Sequence, residues 1–96
     1  NQYTKWFDYD RIKGTLSLRH RQPGDYLTLP SGGRKTLKSW MIDEKIPRQE
    51  REEIWLLAEE KHILWIVGHR ISAYYKITEQ TKTILEVEFN GGKSSG

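Results

Sequence analysis

The residues with the most capacity for chemistry are cations gathered in one stretch: Arg19, Arg21, Arg34, Lys35, Lys38, Lys45, Arg48 and Arg51. Between Arg11 and Arg48, nine Lys or Arg residues stand against three carboxylates (Asp25, Asp43 and Glu44), a local balance of +6. From Gln49 onward the count is six against eight, or −2, and the first ten residues give −1, which together make the net +3. Basic side chains neutralise phosphates and release condensed counterions, so a polyanion is the natural partner of such a ribbon. The bland alternative is solubilising charge, since 30% charged residues is ordinary. The clustering beside two Gly-containing turns, Pro23-Gly24-Asp25 and Ser31-Gly32-Gly33, favours a binding face.

Other chemistries find less support. Ser31-Gly32-Gly33 invites comparison with a phosphate-cradling Gly-rich loop. Arg34-Lys35-Thr36 follows it, though, with no Asp, and no long buried strand precedes it. His20, His62 and His69 lack metal-ligand spacing and have no Cys partner, so structural or surface roles suit them better. Glu50, Glu52, Glu53, Glu59 and Glu60 lie in charged runs that read as solvated surface. No Ser or Thr is set with a His and an acid in a nucleophile pattern, and no catalytic residue is assigned.

Short elements must carry the cations. Thr15-Leu16-Ser17-Leu18-Arg19 alternates as a half-buried strand does, and Tyr26-Leu27-Thr28-Leu29 repeats the pattern after a turn. Leu37, Trp40 and Met41 share one helical face, which predicts a short helix over residues 35 to about 44, with Lys35 and Lys38 turned to solvent. Pro47 suits a first helical turn, which predicts a second short helix over residues 48 to about 53. Two apolar runs, 55–58 and 63–67, flank a polar loop as in a hairpin, and the second reads as a strand buried on both faces. Residues 72–77 are ambiguous, and 85–89 alternate as a final strand with one wet face.

Five or six short strands and two small helices make a single α+β domain with mostly antiparallel pairing. Ninety-six residues allow a modest core, in which Trp40, Trp55 and Trp65 are expected. Residues 1–14 read as a connection from a preceding segment, 15–89 as the folded domain, and 90–96 as a disordered tail. The absence of Cys, of a signal-like start and of any run approaching ~20 apolar residues matches a reducing, cytoplasmic setting without a membrane.

Four blocks together resemble the C-terminal domain of the tRNA(Ile)-lysidine synthetase family. They are Arg19-x-Arg21-Gln22-Pro23-Gly24-Asp25; Gly33-Arg34-Lys35-x-Leu37-Lys38; Ile42-Asp43-x-Lys45-Ile46-Pro47-Arg48-x-x-Arg51; and Trp65-Ile66-x-Gly68-x-Arg70-Ile71-Ser72 running on to Tyr75-Lys76-x-Thr78-x-x-Thr81. Their order and spacing carry the signal across residues 16–85. Two departures stand out: Tyr26 occupies a position where the family pattern has Arg, and Trp55 one where Pro is common.

The resemblance implies a fold like that of a domain of the phenylalanyl-tRNA synthetase β-chain. It implies a module that grips the acceptor stem of a minor isoleucine tRNA and does no chemistry itself. A separate N-terminal domain of the enzyme, using ATP with magnesium, would join lysine to the wobble cytidine. On this basis Arg34, Lys35 and Lys38 are expected at the RNA backbone, with Arg19, Arg21, Arg48, Arg51 and Arg70 completing the face. Arg70 and Lys76 are equally open to pairing within the fold, while Asp25 and Asp43 are expected to hold turns or orient Arg residues. A rival reading is a protein-docking or dimerisation module that meets the catalytic domain or, in a homodimer, a second copy without touching RNA.

Overall fold

The computed structural model describes residues 3–90. Strand β1 (Thr4–Asp8) leads through a 3-10 turn at Tyr9–Arg11 into β2 (Leu16–Arg19). After the Pro23-Gly24 turn come β3 (Tyr26–Thr28), β4 (Arg34–Thr36), helix α1 (Leu37–Asp43) and the single turn of α2 (Arg48–Arg51). Strands β5 (Leu56–Glu59), β6 (His62–Ile66) and β7 (Arg70–Ile71) follow, then a second 3-10 turn at Ala73–Tyr75 and finally β8 (Ile84–Glu88).

Six of these strands form one sheet in the order β2-β5-β6-β3-β4, with β7 continuing the line of β3 alongside β6. Every pairing is antiparallel except the short β3–β6 contact at Tyr26 and His62. The α+β expectation therefore holds, and so does the hairpin, whose connection tightens to Glu60-Lys61 with Glu60 at φ 57°.

The apolar run of β6 is buried because both sheet faces are covered. Leu56, Ala58, Ile63 and Ile66 pack under Leu37, Trp40, Met41 and Ile46 of the helical layer. Leu57, Leu64, Trp65 and Val67 pack on the opposite face with Phe7 and Tyr75. Strict alternation would separate Leu64 from Trp65. A β-bulge between Ala58↔Ile63 and Leu57↔Trp65 inserts Leu64 and turns both residues to the same side. Trp40 and Trp65 are core as expected, and Trp55 is half-buried against His20 and Phe89.

Three local expectations are revised. Thr4–Asp8, taken as connection, pairs antiparallel with β8, and the inward faces of this ribbon (Phe7, Leu85, Val87) close the second core. The first helix begins at Leu37 rather than 35, because Arg34–Thr36 pair with β3 and the Thr36 hydroxyl accepts from the Ser39 N–H as N-cap. The second helix, expected to run to about Glu53, ends at Arg51 with Glu52 as its C-cap, while within the ambiguous stretch 72–77 a 3-10 turn at Ala73–Tyr75 buries Tyr75 and carries its hydroxyl to Glu59. The tail expected over 90–96 lies, apart from Asn90, outside the described residues.

Candidate nucleic-acid interface

Arg19, at the end of β2, points inward. Its Nη1 and Nη2 donate to Asp25 Oδ2 and Oδ1 at 2.9 Å each. The remaining Nη protons go to the His20 carbonyl at 2.9 Å and the Glu60 carbonyl at 2.7 Å. Asp25 is buried and also accepts from the Gln22 N–H at 2.8 Å. Lys61 Nζ donates to the Pro23 carbonyl at 2.9 Å, and the Tyr26 N–H to the Lys61 carbonyl at 3.0 Å. The chain leaving β2 is thus clasped across the β5–β6 turn before it starts β3. Asp25 holds its turn, as expected, and does so with Arg19.

This clasp makes one wall of an open cleft of about 570 Å³ lined by Arg21, Pro23, Gly24, Thr36, Lys38 and Glu52. The Leu37 N–H donates to the Asp25 carbonyl at 2.8 Å, which ties the start of α1 to the turn, and Lys38 lines the same cleft as Arg21. Arg21 donates from Nε and Nη2 to Glu52 Oε2, at 2.9 and 2.6 Å. That pair is solvent-exposed and therefore weak, so a phosphate oxygen can replace the carboxylate at little loss. Lys38 and Arg48 are exposed and make no ion pair with another described residue. Arg51 Nε is held by the Ile46 carbonyl at 2.8 Å, with α2 leading directly into Glu52.

The other expected residues lie elsewhere. Arg34 and Lys35 are consecutive in β4, so their side chains leave opposite faces of the sheet. Lys35 emerges on the helical side and pairs with Asp43 at the end of α1. Arg34 emerges on the other side, its Cζ 4.3 Å from the ring centroid of Tyr26. Arg70 pairs in register with Ile66 at the end of β6 away from the clasp, exposed and without an ion pair among the described residues. The cleft therefore gathers Arg21 and Lys38, with α2 bearing Arg48 and Arg51 adjoining.

A residue set that the sequence did not nominate surrounds His62. Its Nε2 lies 3.0 Å from Thr28 Oγ1, and its ring stacks on Tyr26 at 4.5 Å. Burial, helped by the charge of Arg34, favours the neutral ring and holds the imidazole below its ordinary value, against the pull of Glu59 toward the charged form. Burial would raise Glu59, but bonds from the Tyr75 hydroxyl (2.7 Å), the Lys13 N–H (2.6 Å) and the Gly14 N–H, with His62 nearby, leave it below the usual carboxylate value. Burial first, and then Glu59, push the Tyr75 phenol upward. Among the described residues no group of three or more His, Asp or Glu side chains is placed to hold a metal ion. No helix in this range is long and apolar enough to cross a membrane.

Comparison with known proteins agrees with this architecture. The family model described as the TilS substrate C-terminal domain matches residues 16–88. The tRNA(Ile)-lysidine synthase of Caldanaerobacter subterraneus subsp. tengcongensis is 45% identical over 89 residues, covering 92% of this chain and 19% of that protein. That of Clostridium tetani is 40% identical over 94 residues, covering 97% of this chain and 20% of that protein. The chain thus spans about a fifth of the length of these relatives. A crystal structure of a TilS C-terminal domain superposes with a TM-score of 0.65 at 30% identity, over 88% of this chain and 71% of that one. With the clasp, the two-sided sheet and the match over residues 16–88 in agreement, the chain belongs to the family of TilS substrate C-terminal domains.

Proposed function

We propose that this chain is a tRNA-gripping module, and that its cleft between Arg21 and Lys38 receives the phosphate backbone of an acceptor-stem helix. The observation that carries the reading is a cleft whose two cations are left exchangeable or unpaired, with the exposed Arg48 in α2, the element that leads into Glu52 of its lining. A-form RNA is read mainly through phosphates, 2′-hydroxyls and its shallow minor groove, which suits an open cationic cleft better than a deep specific pocket. Arg21 can hold a phosphate through two N–H groups at once, whereas Lys38 supplies a point charge. The ATP- and magnesium-dependent attachment of lysine to the wobble cytidine of a minor isoleucine tRNA is assigned to the part of such enzymes that this chain does not span. A cytoplasmic setting follows from that assignment.

One feature favours docking as a second reading. The outer face of the β1–β8 ribbon exposes Trp6 and Ile84, 45% and 52% accessible, which a catalytic domain or a second copy could cover. Salt separates the two readings, because phosphate contacts weaken steeply with ionic strength and apolar docking does not. Titrating the chain with an isoleucine-tRNA acceptor helix and with the anticodon stem-loop, at low and moderate salt, tests the proposal. The acceptor helix should bind more tightly and lose affinity as salt rises. Absence of binding at low salt would discard the RNA grip and leave docking in its place.

A further inference from the structure

The sheet face opposite the helices carries a second arrangement, remote from the cleft in kind as well as in side. Arg34, Tyr26, His62, Tyr74 and Arg11 form a row in which each member lies against the next. Arg34 covers Tyr26 at 4.3 Å, Tyr26 stacks on His62 at 4.5 Å with an interplanar angle of 29°, His62 lies 5.1 Å from Tyr74, and Arg11 covers Tyr74 at 4.6 Å. The row borders a depression of about 450 Å³ whose rim also includes Lys13 and Thr28. Three cations thus ring a floor of aromatic faces. Of the two carboxylates on the same rim, Glu59 is already occupied by the Tyr75 hydroxyl and two backbone N–H groups, and Glu60 is exposed at the β5–β6 turn.

Flat π-faces beside guanidinium planes suit a nucleobase, and flanking cations suit its phosphates. A paired base cannot offer its faces, which are stacked in the helix, so the fitting ligand is unpaired. Tyr26 is covered on both sides by Arg34 and His62, whereas Tyr74 is the exposed ring of the row at 38%. We propose that this depression is a stacking subsite for one unpaired nucleotide of the bound RNA. Its base takes the place over Tyr74 that the Arg11 guanidinium covers, and Arg11, Lys13 and Arg34 meet its phosphates. The subsite rests on the reading of the chain as an RNA-binding module and adds to it a specificity for single-stranded extension.

The test compares two RNA hairpins of identical stem, one blunt and one with a short 3′ single-stranded extension carrying 2-aminopurine, and includes AMP alone. Wild-type chain should bind the extended hairpin at least about five-fold more tightly and quench the 2-aminopurine as the base stacks. Tyr74→Ala should erase that preference while leaving blunt-hairpin affinity unchanged. Tyr26→Leu provides a second variant should the first perturb the fold. Lys38→Glu should weaken both hairpins and keep their ratio. Equal wild-type affinity for the two hairpins without quenching would overturn the subsite alone. Failure to bind either hairpin would remove the RNA grip and the subsite together. AMP moving the His62 and Tyr74 resonances, with the extension having no effect, would reassign the depression to a free nucleotide and overturn the RNA assignment.

Discussion

Arg19 and Arg21 are two residues apart, yet their guanidinium groups serve opposite purposes. Arg21 lies outside β2 with an exchangeable exposed partner, while Arg19 spends all four Nη protons on Asp25, His20 and Glu60. Breaking a buried ion pair leaves the other charge stranded, so Arg19→Ala should lower stability by about 3–5 kcal/mol. Arg19→Lys should restore only part of this loss, because an ammonium cannot fork across both Asp25 oxygens. RNA affinity per folded molecule should fall much less in both variants than in Lys38→Glu, since Arg19 supports a wall of the cleft without lining it. Urea denaturation alongside binding at a fully folded temperature checks this; a stable Arg19→Ala with impaired binding would place Arg19 at the RNA instead. In sequence the two arginines are equivalent members of one basic block. What separates them is Asp25, whose burial under the β5–β6 turn depends on contacts more than thirty residues away.

At the scale of elements, the ribbon of β1 and β8 is a structural layer. Phe7 is fully buried and its ring lies 6.3 Å from that of Trp65. Phe7→Ala should therefore cost about 3–5 kcal/mol, measured by denaturant unfolding, with Trp fluorescence altered in the native state. A loss below about 1 kcal/mol would mean that the sheet keeps its second face closed without the ribbon. The sequence disclosed β5, β6 and β8 well, because continuous or alternating apolar patterns are local signals. It concealed β1, since Lys5-Trp6-Phe7 puts a large ring on each face and the strand exists only through pairing with residues some eighty positions later. It misplaced the start of α1 because the spacing of Leu37, Trp40 and Met41 extends plausibly backward. Thr36, a good N-cap type, was the available sign of the boundary. The row around His62 could not be read at all, since Arg11, Tyr26, Arg34, His62 and Tyr74 come from five separate segments and meet only when the sheet forms.

For the whole molecule, the net charge of +3 says less than where the cations emerge. The sheet divides them: Arg21 and Lys38 line the cleft on the helical side, with Arg48 in α2, the element that leads into Glu52, while Arg11 and Arg34 belong to the aromatic side. Lys82, exposed between the second 3-10 turn and β8, belongs to neither cleft nor depression. Reversing any one of these charges changes net charge by the same amount, so long-range attraction alone predicts equal losses of affinity for an RNA helix. Direct phosphate contact predicts unequal ones. Lys38→Glu and Arg48→Glu should each weaken binding to a blunt RNA helix and flatten the plot of log affinity against log salt by roughly 0.7–0.9. Lys82→Glu should leave that slope where it was and shift affinity only slightly at low salt, where screening is weakest. Slopes measured for the three variants over the same salt range decide the matter. Three equal reductions would mean that the chain attracts RNA by its overall field; a reduction confined to Lys38 and Arg48 would mean that the helical-side cleft is where the phosphates sit.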